Sequence, residues 1–165
     1  MKYIGAAVMP ACLIFYSVII SIRLRKRAAV LDKTYSLLNE IKIMLEYSCC
    51  AVNELIDSAG GKAIYKDTFV PKCKELLTEG NDFPVAWKRS VEETNLYKNE
   101  EKQKLIQLGT FLGTSDLESQ ITVVQMYITA FDEFRNEARL KSKKYADTSI
   151  FVGAFCALGL FVMMI

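Results

Sequence analysis

The chain has 165 residues, of which 52% are hydrophobic, and its 21 basic and 19 acidic side chains leave a net charge of +2. This composition, with five cysteines, excludes a secreted disulfide scaffold, a strongly basic nucleic-acid-binding protein and an acidic disordered tail. The absence of histidine excludes every catalytic mechanism that uses an imidazole.

The apolar excess lies at the two ends of the chain. Tyr3 to Ile22 and Thr148 to Ile165 contain no charged residue, and all 19 acidic and 20 of the 21 basic residues lie between them. A helix of 20 residues is about 30 Å long, which matches the hydrocarbon core of a bilayer. We therefore predict a transmembrane helix with a short N-terminus in residues 1–22, a helical domain in 23–147 and a second transmembrane helix in 148–165.

Basic residues flank both apolar segments on the side of the middle domain. By the positive-inside rule, these flanks place the middle domain in the cytoplasm and direct both termini across the membrane. The same side chains can contact anionic lipid headgroups. The membrane-flanking residues are Arg23, Arg25, Lys26, Arg27, Lys141, Lys143 and Lys144.

Each apolar segment has an alternative interpretation. A cleaved signal peptide would have a shorter apolar core with its charges before it, whereas here the charges follow a long core. The second segment could instead be a buried core helix. However, Phe151, Phe155 and Phe161 belong to a run without a polar face, which favours contact with lipid.

The middle domain carries helical periodicity from its beginning. From Leu31 to Ile56 apolar residues recur at intervals of three and four, which predicts one long amphipathic helix that ends at Gly60 and Gly61. The next segment, residues 64–77, contains Pro71, which is tolerated only near a helix start, and it ends at Gly80. We expect two short helices or one broken helix there.

Two more helices are predicted before residue 113. Asn81 and Asp82 precede a short helix in which Trp87 is expected to anchor the core. Asn99 is a candidate cap for the following helix. The apolar face of that helix is expected to contain Leu105, Leu108, Phe111 and Leu112.

The clearest local signal is the turn between this helix and the last one, which we call the corner. Gly113 suits the left-handed position after a helix end, and Ser115 with Glu118 matches a capping box. The last helix begins at Leu117 and continues through the lysine-rich turn into the second apolar segment. The predicted fold is therefore all-α, an antiparallel helical bundle with N- and C-terminal transmembrane helices.

The candidate chemical motifs have simpler structural interpretations. Asp116 and Glu118 could form an acid/base pair, but acidic residues are favoured in the first turn of a helix for capping. Gly60 to Lys62 lacks the first glycine and the Ser or Thr of a phosphate-binding loop. We predict no catalytic residue, no cofactor, no small-molecule substrate and no nucleic-acid partner.

The cysteines do not form a metal-binding pattern. No Cys-x-x-Cys pair occurs, and without histidine a zinc site would need four thiolates from a scattered set. We therefore predict no metal site and expect free thiols that pack as small apolar residues. The five are Cys12, Cys49, Cys50, Cys73 and Cys156.

The corner also carries a family resemblance. The string Leu-Gly-Thr-Phe-Leu-Gly-Thr-Ser-Asp at residues 108–116, followed by Glu118 and Gln120, resembles the signature region of the stage III sporulation protein AB family of endospore-forming bacteria. The order of segments agrees along essentially the whole chain: an N-terminal span, a long helix, the Ala86-Trp87 helix, the signature, a final helix and a C-terminal span.

The resemblance implies a component of the channel complex between mother cell and forespore, in the mother-cell membrane around the forespore. It implies a cytoplasmic domain similar to that of the inner-membrane platform protein of type II secretion and type IV pilus machines. The expected function is a non-enzymatic adaptor that couples an ATPase, stage III sporulation protein AA, to channel proteins of the same operon. Candidate partner-contact residues are Gly113, Thr114, Ser115, Asp116, Glu118 and Gln120.

Two other function classes stay open. One is a membrane-tethered scaffold or sensor, in which Cys49 and Cys50 could form a redox pair. The other is a membrane-bound enzyme for a small molecule, which would need a concave polar pocket inside the bundle.

Overall fold

The computed structural model describes the backbone of residues 2–47, 52–112 and 116–164 and the side chains of residues 18–47, 52, 54–112 and 116–145. Every regular element within these ranges is helical, which confirms the all-α prediction. The elements are α1 (Lys2–Tyr47), α2 (Val52–Gly60), a 3-10 turn (Ala63–Tyr65), α3 (Val70–Thr78), α4 (Phe83–Glu93), α5 (Asn99–Phe111) and α6 (Leu117–Met164).

The first and last helices are much longer than the others. Helix α1 has 46 residues and α6 has 48, so each terminal apolar segment continues without a break into the charged part of the chain, which the sequence predicted for the last helix. The long amphipathic helix predicted from Leu31 onward is present as α1 up to Tyr47 and as α2 from Val52. Residues 48–51 lie outside the described part.

The chain divides into two compact units. One comprises residues 1–28 and 137–165, and the other comprises residues 29–136. Helices α1 and α6 contribute to both units, whereas α2 to α5 belong entirely to the second.

A membrane-spanning helix is not found among the residues whose side chains are described, because no helix in that part is long and apolar enough. The two predicted spans lie largely outside it. Only residues 18–22 of the first segment have described side chains, and none of residues 148–165 does.

The core of the second unit is built around four aromatic side chains. The ring of Phe69 lies 4.7 Å from that of Trp87 in an edge-to-face arrangement and 6.3 Å from that of Tyr97. Phe83 lies 5.4 Å from Trp87 on another side. Trp87 is completely buried, as predicted. Aliphatic side chains from α1, α5 and α6 complete the core, among them Leu31, Leu38, Ile41, Leu105, Leu108 and Val124.

The end of α3 follows the local sequence, whereas the start of α5 requires a correction. Pro71 lies in the first turn of α3, and Gly80 adopts φ +91° just after that helix, as predicted. Asn99 is not the cap of α5. The cap position is Lys98, whose backbone N–H donates to the buried carboxylate of Glu101 at 2.7 Å. A glutamate three residues into the helix satisfies the free N–H group there, so Asn99 is not needed.

One buried and one partly buried polar contact position α1 in the second unit. The hydroxyls of Thr34 and Tyr97 lie 2.6 Å apart, and Thr34 donates its only hydroxyl hydrogen to the carbonyl of Val30, so Tyr97 is the donor between them. Arg135 of α6 places its guanidinium 4.1 Å from the centre of the Tyr35 ring and 3.8 Å from a carboxylate oxygen of Asp32.

Candidate functional site

The described part of the predicted contact region begins at Asp116, because Gly113, Thr114 and Ser115 lie outside it. Helix α6 starts at Leu117, so Asp116 occupies the cap position. Its Oδ2 accepts a hydrogen bond of 3.0 Å from the backbone N–H of Ser119. That hydrogen bond lowers the pKa of the Asp116 carboxyl. The described cap therefore joins Asp116 to Ser119, one residue later than the predicted pairing of Ser115 with Glu118.

The predicted contact residues of α6 divide into exposed and buried ones. Asp116 and Glu118 are exposed, but Gln120 is only 9% exposed. Gln120 lies one turn after Asp116, and its backbone N–H donates to the Asp116 carbonyl at 3.0 Å. Its side chain therefore adds little to the surface that Asp116 and Glu118 present, and its assignment as a contact residue stays a prediction.

A shallow open depression of about 370 Å³ lies at the start of α6. The described residues that line it form what we call the corner surface: Asp116, Glu118, Ser119, Thr122 and Val123. Two carboxylates and two hydroxyls line its polar part, and the methyl groups of Val123 supply an apolar part.

Large apolar side chains adjoin this surface in the sequence. Phe111, the last residue of α5, is 46% exposed, and Leu117, the first residue of α6, is 41% exposed. Phe111 was predicted to face the core. On a helical wheel, however, it lies outside the narrow stripe of Leu105, Leu108 and Leu112, which are all buried. A narrower reading of the periodicity would have identified it as exposed.

The α5 half of the signature has a packing role. A Cβ atom added to Gly109 would lie 2.2 Å from Cδ1 of Trp87, so the indole occupies the space that any side chain there would need. The indole N–H of Trp87 donates to the Leu105 carbonyl at 2.6 Å. Gly109 is therefore required for α4 and α5 to pack, whereas Asp116 and Glu118 leave their side chains available to a partner.

A second depression lies between α2 and α3. It has a volume of about 450 Å³ and is lined by Glu54, Asp57, Lys74, Leu77, Thr78 and Asn81. Lys74 bonds both the backbone carbonyl and the carboxylate of Asp57 at 2.9 Å. Its ammonium group is thus held by the chain itself, and this depression lies at the surface.

The buried thiol and phenol groups of the described residues have raised pKa values, which disfavour their reactive ionised forms. Cys73 is buried as a free thiol, as predicted, and burial raises its pKa to about 11, which disfavours the nucleophilic thiolate. Burial also raises the pKa of Tyr97, and burial together with Glu40 raises that of Tyr65. No group of three or more potential ligands is arranged for a metal within the described part of the chain. The side chains of Cys12, Cys49, Cys50 and Cys156 lie outside that part.

The predicted membrane-flanking residues belong to the unit of residues 1–28 and 137–165. All but one are exposed; the exception is Arg27, which is 9% exposed. Lys141 forms an ion pair with Glu137 one turn earlier on α6. The exposed members are Arg23, Arg25, Lys26, Lys141, Lys143 and Lys144.

Comparison with known proteins identifies a family for nearly the whole chain. The family model described as stage III sporulation protein AB matches residues 2–165. Neither a curated protein nor a solved structure matches the chain. The family match includes both halves of the signature, from Leu108 to Gln120.

Proposed function

The chain belongs to the stage III sporulation protein AB family and has a role in sporulation, and we propose that it is a non-enzymatic adaptor of the mother cell–forespore channel complex. In this role it couples a cytoplasmic ATPase, stage III sporulation protein AA, to channel proteins in the membrane. The single observation that carries the proposal is the continuity of α1 and α6, each of which runs unbroken from a terminal apolar segment into the charged part of the chain.

The membrane location is part of the proposal. Residues 3–22 and 148–165 are uncharged and of spanning length, and basic residues follow the first and precede the second. We place both segments in the mother-cell membrane around the forespore and residues 23–147 in the cytoplasm, as an antiparallel bundle. A helix that continues from bilayer to cytoplasm joins the two by one run of backbone hydrogen bonds, which gives a path along which a displacement is passed between them.

The ATPase contact is assigned to the corner surface together with Phe111 and Leu117. Exposed carboxylates beside exposed apolar side chains favour a partner segment that is both apolar and basic. Asp116 is held by its hydrogen bond to Ser119, and the other lining residues belong to the first two turns of α6, so this surface is preorganised for binding.

The test is site-specific photocrosslinking of the full-length chain in sporulating cells. A photoreactive amino acid replaces Glu118 or Thr122, both exposed on the corner surface, and the matched control carries it at Thr78, which is exposed on α3. We expect the ATPase to be crosslinked from residues 118 and 122 but not from residue 78. Crosslinking from residue 78 alone, or from none of the three, would contradict the assignment.

A second measurement tests the membrane location separately. Membranes from sporulating cells are washed with alkaline carbonate, which releases peripheral proteins but leaves spanning proteins in the bilayer. We expect the chain to stay with the membrane fraction. Release of the chain would contradict the two spans without deciding the ATPase contact.

A further inference from the structure

The charges of the chain are divided unequally between its two units. Residues 1–28 and 137–165 contain 9 basic and 2 acidic residues, a net charge of +7, and residues 29–136 contain 12 basic and 17 acidic residues, a net charge of −5. The near-neutral total of +2 therefore hides one strongly basic unit and one acidic unit.

The basic side chains of the two units also differ in their partners. In residues 29–136, eight of the 12 lie within 4.0 Å of a carboxylate: Lys33, Lys42, Lys62, Lys72, Lys74, Lys88, Arg89 and Arg135. In the basic unit, four exposed cations have no carboxylate partner among the residues that the structure describes. These are Arg23, Arg25, Lys26 and Lys143.

Exposed apolar side chains adjoin these four cations. Val18, Ile19 and Ile22 are 48%, 50% and 50% exposed, and Arg23 follows them directly. On α6, Tyr145 is 51% exposed and lies two residues after Lys143. Exposed apolar residues next to exposed cations, with a tyrosine among them, are typical of a helix at the boundary between hydrocarbon and headgroups.

We propose that Arg23, Arg25, Lys26 and Lys143 form a basic collar that binds the phosphate groups of anionic phospholipids. This proposal rests on the membrane location given under the proposed function. Arginine donates two parallel hydrogen bonds to a phosphate, and lysine adds a point charge. A zwitterionic headgroup carries its own cation beside the phosphate, so the collar selects lipids with a net negative charge.

The acidic unit limits which part of the chain is attracted to an anionic bilayer. With a net charge of −5, residues 29–136 are repelled by an anionic bilayer surface, so attraction to that surface is confined to the basic unit. Each cation near an anionic surface increases affinity about five-fold. Since the collar is shared among neighbouring lipids, we expect an anionic lipid to be preferred over a zwitterionic one by at least about five-fold.

The experiment measures lipid selectivity on the full-length chain reconstituted into phosphatidylcholine bilayers. Spin-labelled phosphatidylglycerol or spin-labelled phosphatidylcholine is added, and electron paramagnetic resonance gives the fraction of each that is immobilised by the protein. We expect a preference for phosphatidylglycerol that falls to within about two-fold of unity in 1 M salt, because salt screens charge interactions at this range. Free inorganic phosphate at 10 mM should leave the preference unchanged if the ligand is a lipid headgroup.

A variant and a matched control test whether the preference for phosphatidylglycerol depends on the collar residues. The collar variant combines Arg23→Gln, Arg25→Gln, Lys26→Gln and Lys143→Gln. The control removes the same charge from the other unit through Lys66→Gln, Lys88→Gln, Arg89→Gln and Lys104→Gln. We expect the collar variant to lose the preference and the control to retain it. Equal selectivity in the two variants, or a preference that survives 1 M salt, would overturn the proposal.

The salt measurement uses the unmodified chain, so it decides the proposal even if the collar variant fails to insert. If alkaline carbonate releases the chain, the proposed spans fail, and the collar is then tested by flotation of the released chain with phosphatidylglycerol vesicles. Binding that requires the four collar residues would still support the collar, and equal binding to phosphatidylcholine vesicles would overturn it.

Discussion

Trp87 lies so close to Gly109 that α5 has no room for a side chain at that residue. A Cβ atom there would lie 2.2 Å from Cδ1, 2.7 Å from Cγ and 2.7 Å from Nε1 of the indole. The indole cannot easily move away, because it is completely buried and its N–H bonds the Leu105 carbonyl. This single contact sets how closely α4 approaches α5.

We therefore expect Gly109→Ala to destabilise the chain by about 1–3 kcal/mol, the usual cost of overpacking a core. Alanine favours helix formation by about 1 kcal/mol over glycine, but the clash with a rigid ring outweighs that gain. The measurement is urea unfolding of the full-length chain in detergent, followed by fluorescence of Trp87, the only tryptophan.

The matched control is Gly61→Ala. A Cβ atom on Gly61 would find its nearest neighbour 3.7 Å away, so this substitution should change stability by less than about 0.5 kcal/mol. Equal unfolding midpoints for the two variants would show that a side chain at residue 109 does not clash with Trp87 and would contradict the prediction.

Removing the Tyr97 hydroxyl tests the contact between α1 and the segment before α5. Tyr97→Phe deletes the hydrogen bond that Tyr97 donates to Thr34 but keeps the ring against Phe69, so we expect a loss of about 1 kcal/mol. The control is Tyr127→Phe, because the Tyr127 hydroxyl is 3.5 Å from Gln107 at an exposed position. Thermal unfolding should separate the two variants, and a larger loss for Tyr127→Phe would contradict the assignment.

The buried tyrosines also predict a loss of stability at alkaline pH. Burial raises the pKa of Tyr97 and of Tyr65 in the folded chain above the usual value of about 10. Below pH 10 the two tyrosine hydroxyls are neutral in the folded and in the unfolded chain, so their contribution to the free energy of unfolding is fully present there. As the pH rises above 10 the unfolded chain ionises first, and stability falls until the folded pKa is reached.

This prediction is tested by unfolding midpoints at pH 9.5 and 11.5. The double variant Tyr65→Phe/Tyr97→Phe should lose less stability between these values than the unmodified chain, and Tyr145→Phe, altered at a half-exposed residue, should lose as much as the unmodified chain. All three proteins carry the same lysines, so only the difference between them is diagnostic. Parallel pH curves for the three would contradict the prediction.

Much of the fold followed from the sequence because periodicity and breakers act locally. Intervals of three and four residues identified the buried positions Leu31, Leu38 and Ile41, and Gly80 marked the end of α3. The capping of α5 did not follow, because Asn99 is a favoured cap residue and Lys98 is not, whereas the side chain of Glu101 satisfies the backbone N–H of Lys98. A local pattern predicts that a helix starts but does not fix the residue at which it starts.

The candidate site was only partly accessible from the sequence, because exposure depends on tertiary packing. Asp116, Glu118 and Gln120 look equivalent as polar residues near a helix start, yet Gln120 is buried. Gly109 and Asp116 belong to one signature string, but one packs against Trp87 and the other caps α6. The charge difference between the two units was hidden for the same reason, since it depends on which helical segments group together.

Arg135 of α6 contacts residues of α1 that are far away in the sequence, and the sequence did not predict this contact. Its guanidinium lies over the Tyr35 ring and bonds Asp132, with Asp32 of α1 nearby, at only 21% side-chain exposure. Arg135→Ala should cost about 1–2 kcal/mol, since it removes a partly buried cation–π contact and leaves Asp32 without this neighbour. Arg89→Ala removes an exposed ion pair with Glu93, in which the Arg89 side chain is 61% exposed, and should cost less than about 0.5 kcal/mol in the same urea measurement.

Arg135→Lys tests whether the planar group or the charge matters. Lysine keeps the positive charge but loses the planar group that stacks on Tyr35 and bonds Asp132 at the same time. We expect it to recover less than half of the loss seen with alanine. Full recovery would indicate that charge alone ties the two helices.

The last prediction separates the capping role of Asp116 from its proposed role in binding the ATPase. Asparagine accepts the Ser119 N–H as aspartate does, so Asp116→Asn should leave the unfolding temperature within about 1 °C of the unmodified chain, whereas Asp116→Ala should lower it by about 3 °C. Both variants remove the negative charge. If the charge contacts a basic partner, both should weaken copurification of the ATPase, by about two- to five-fold.

Glu79→Gln is the matched control, because it removes one exposed carboxylate after α3 and should affect neither measurement. The three variants separate the possible roles. A binding loss confined to Asp116→Ala would assign Asp116 to capping alone, since only that variant disturbs the start of α6. A similar loss for Glu79→Gln would show that binding depends on the total charge of the acidic unit. Loss in both Asp116 variants, with normal unfolding of Asp116→Asn, would support the corner surface as the docking site.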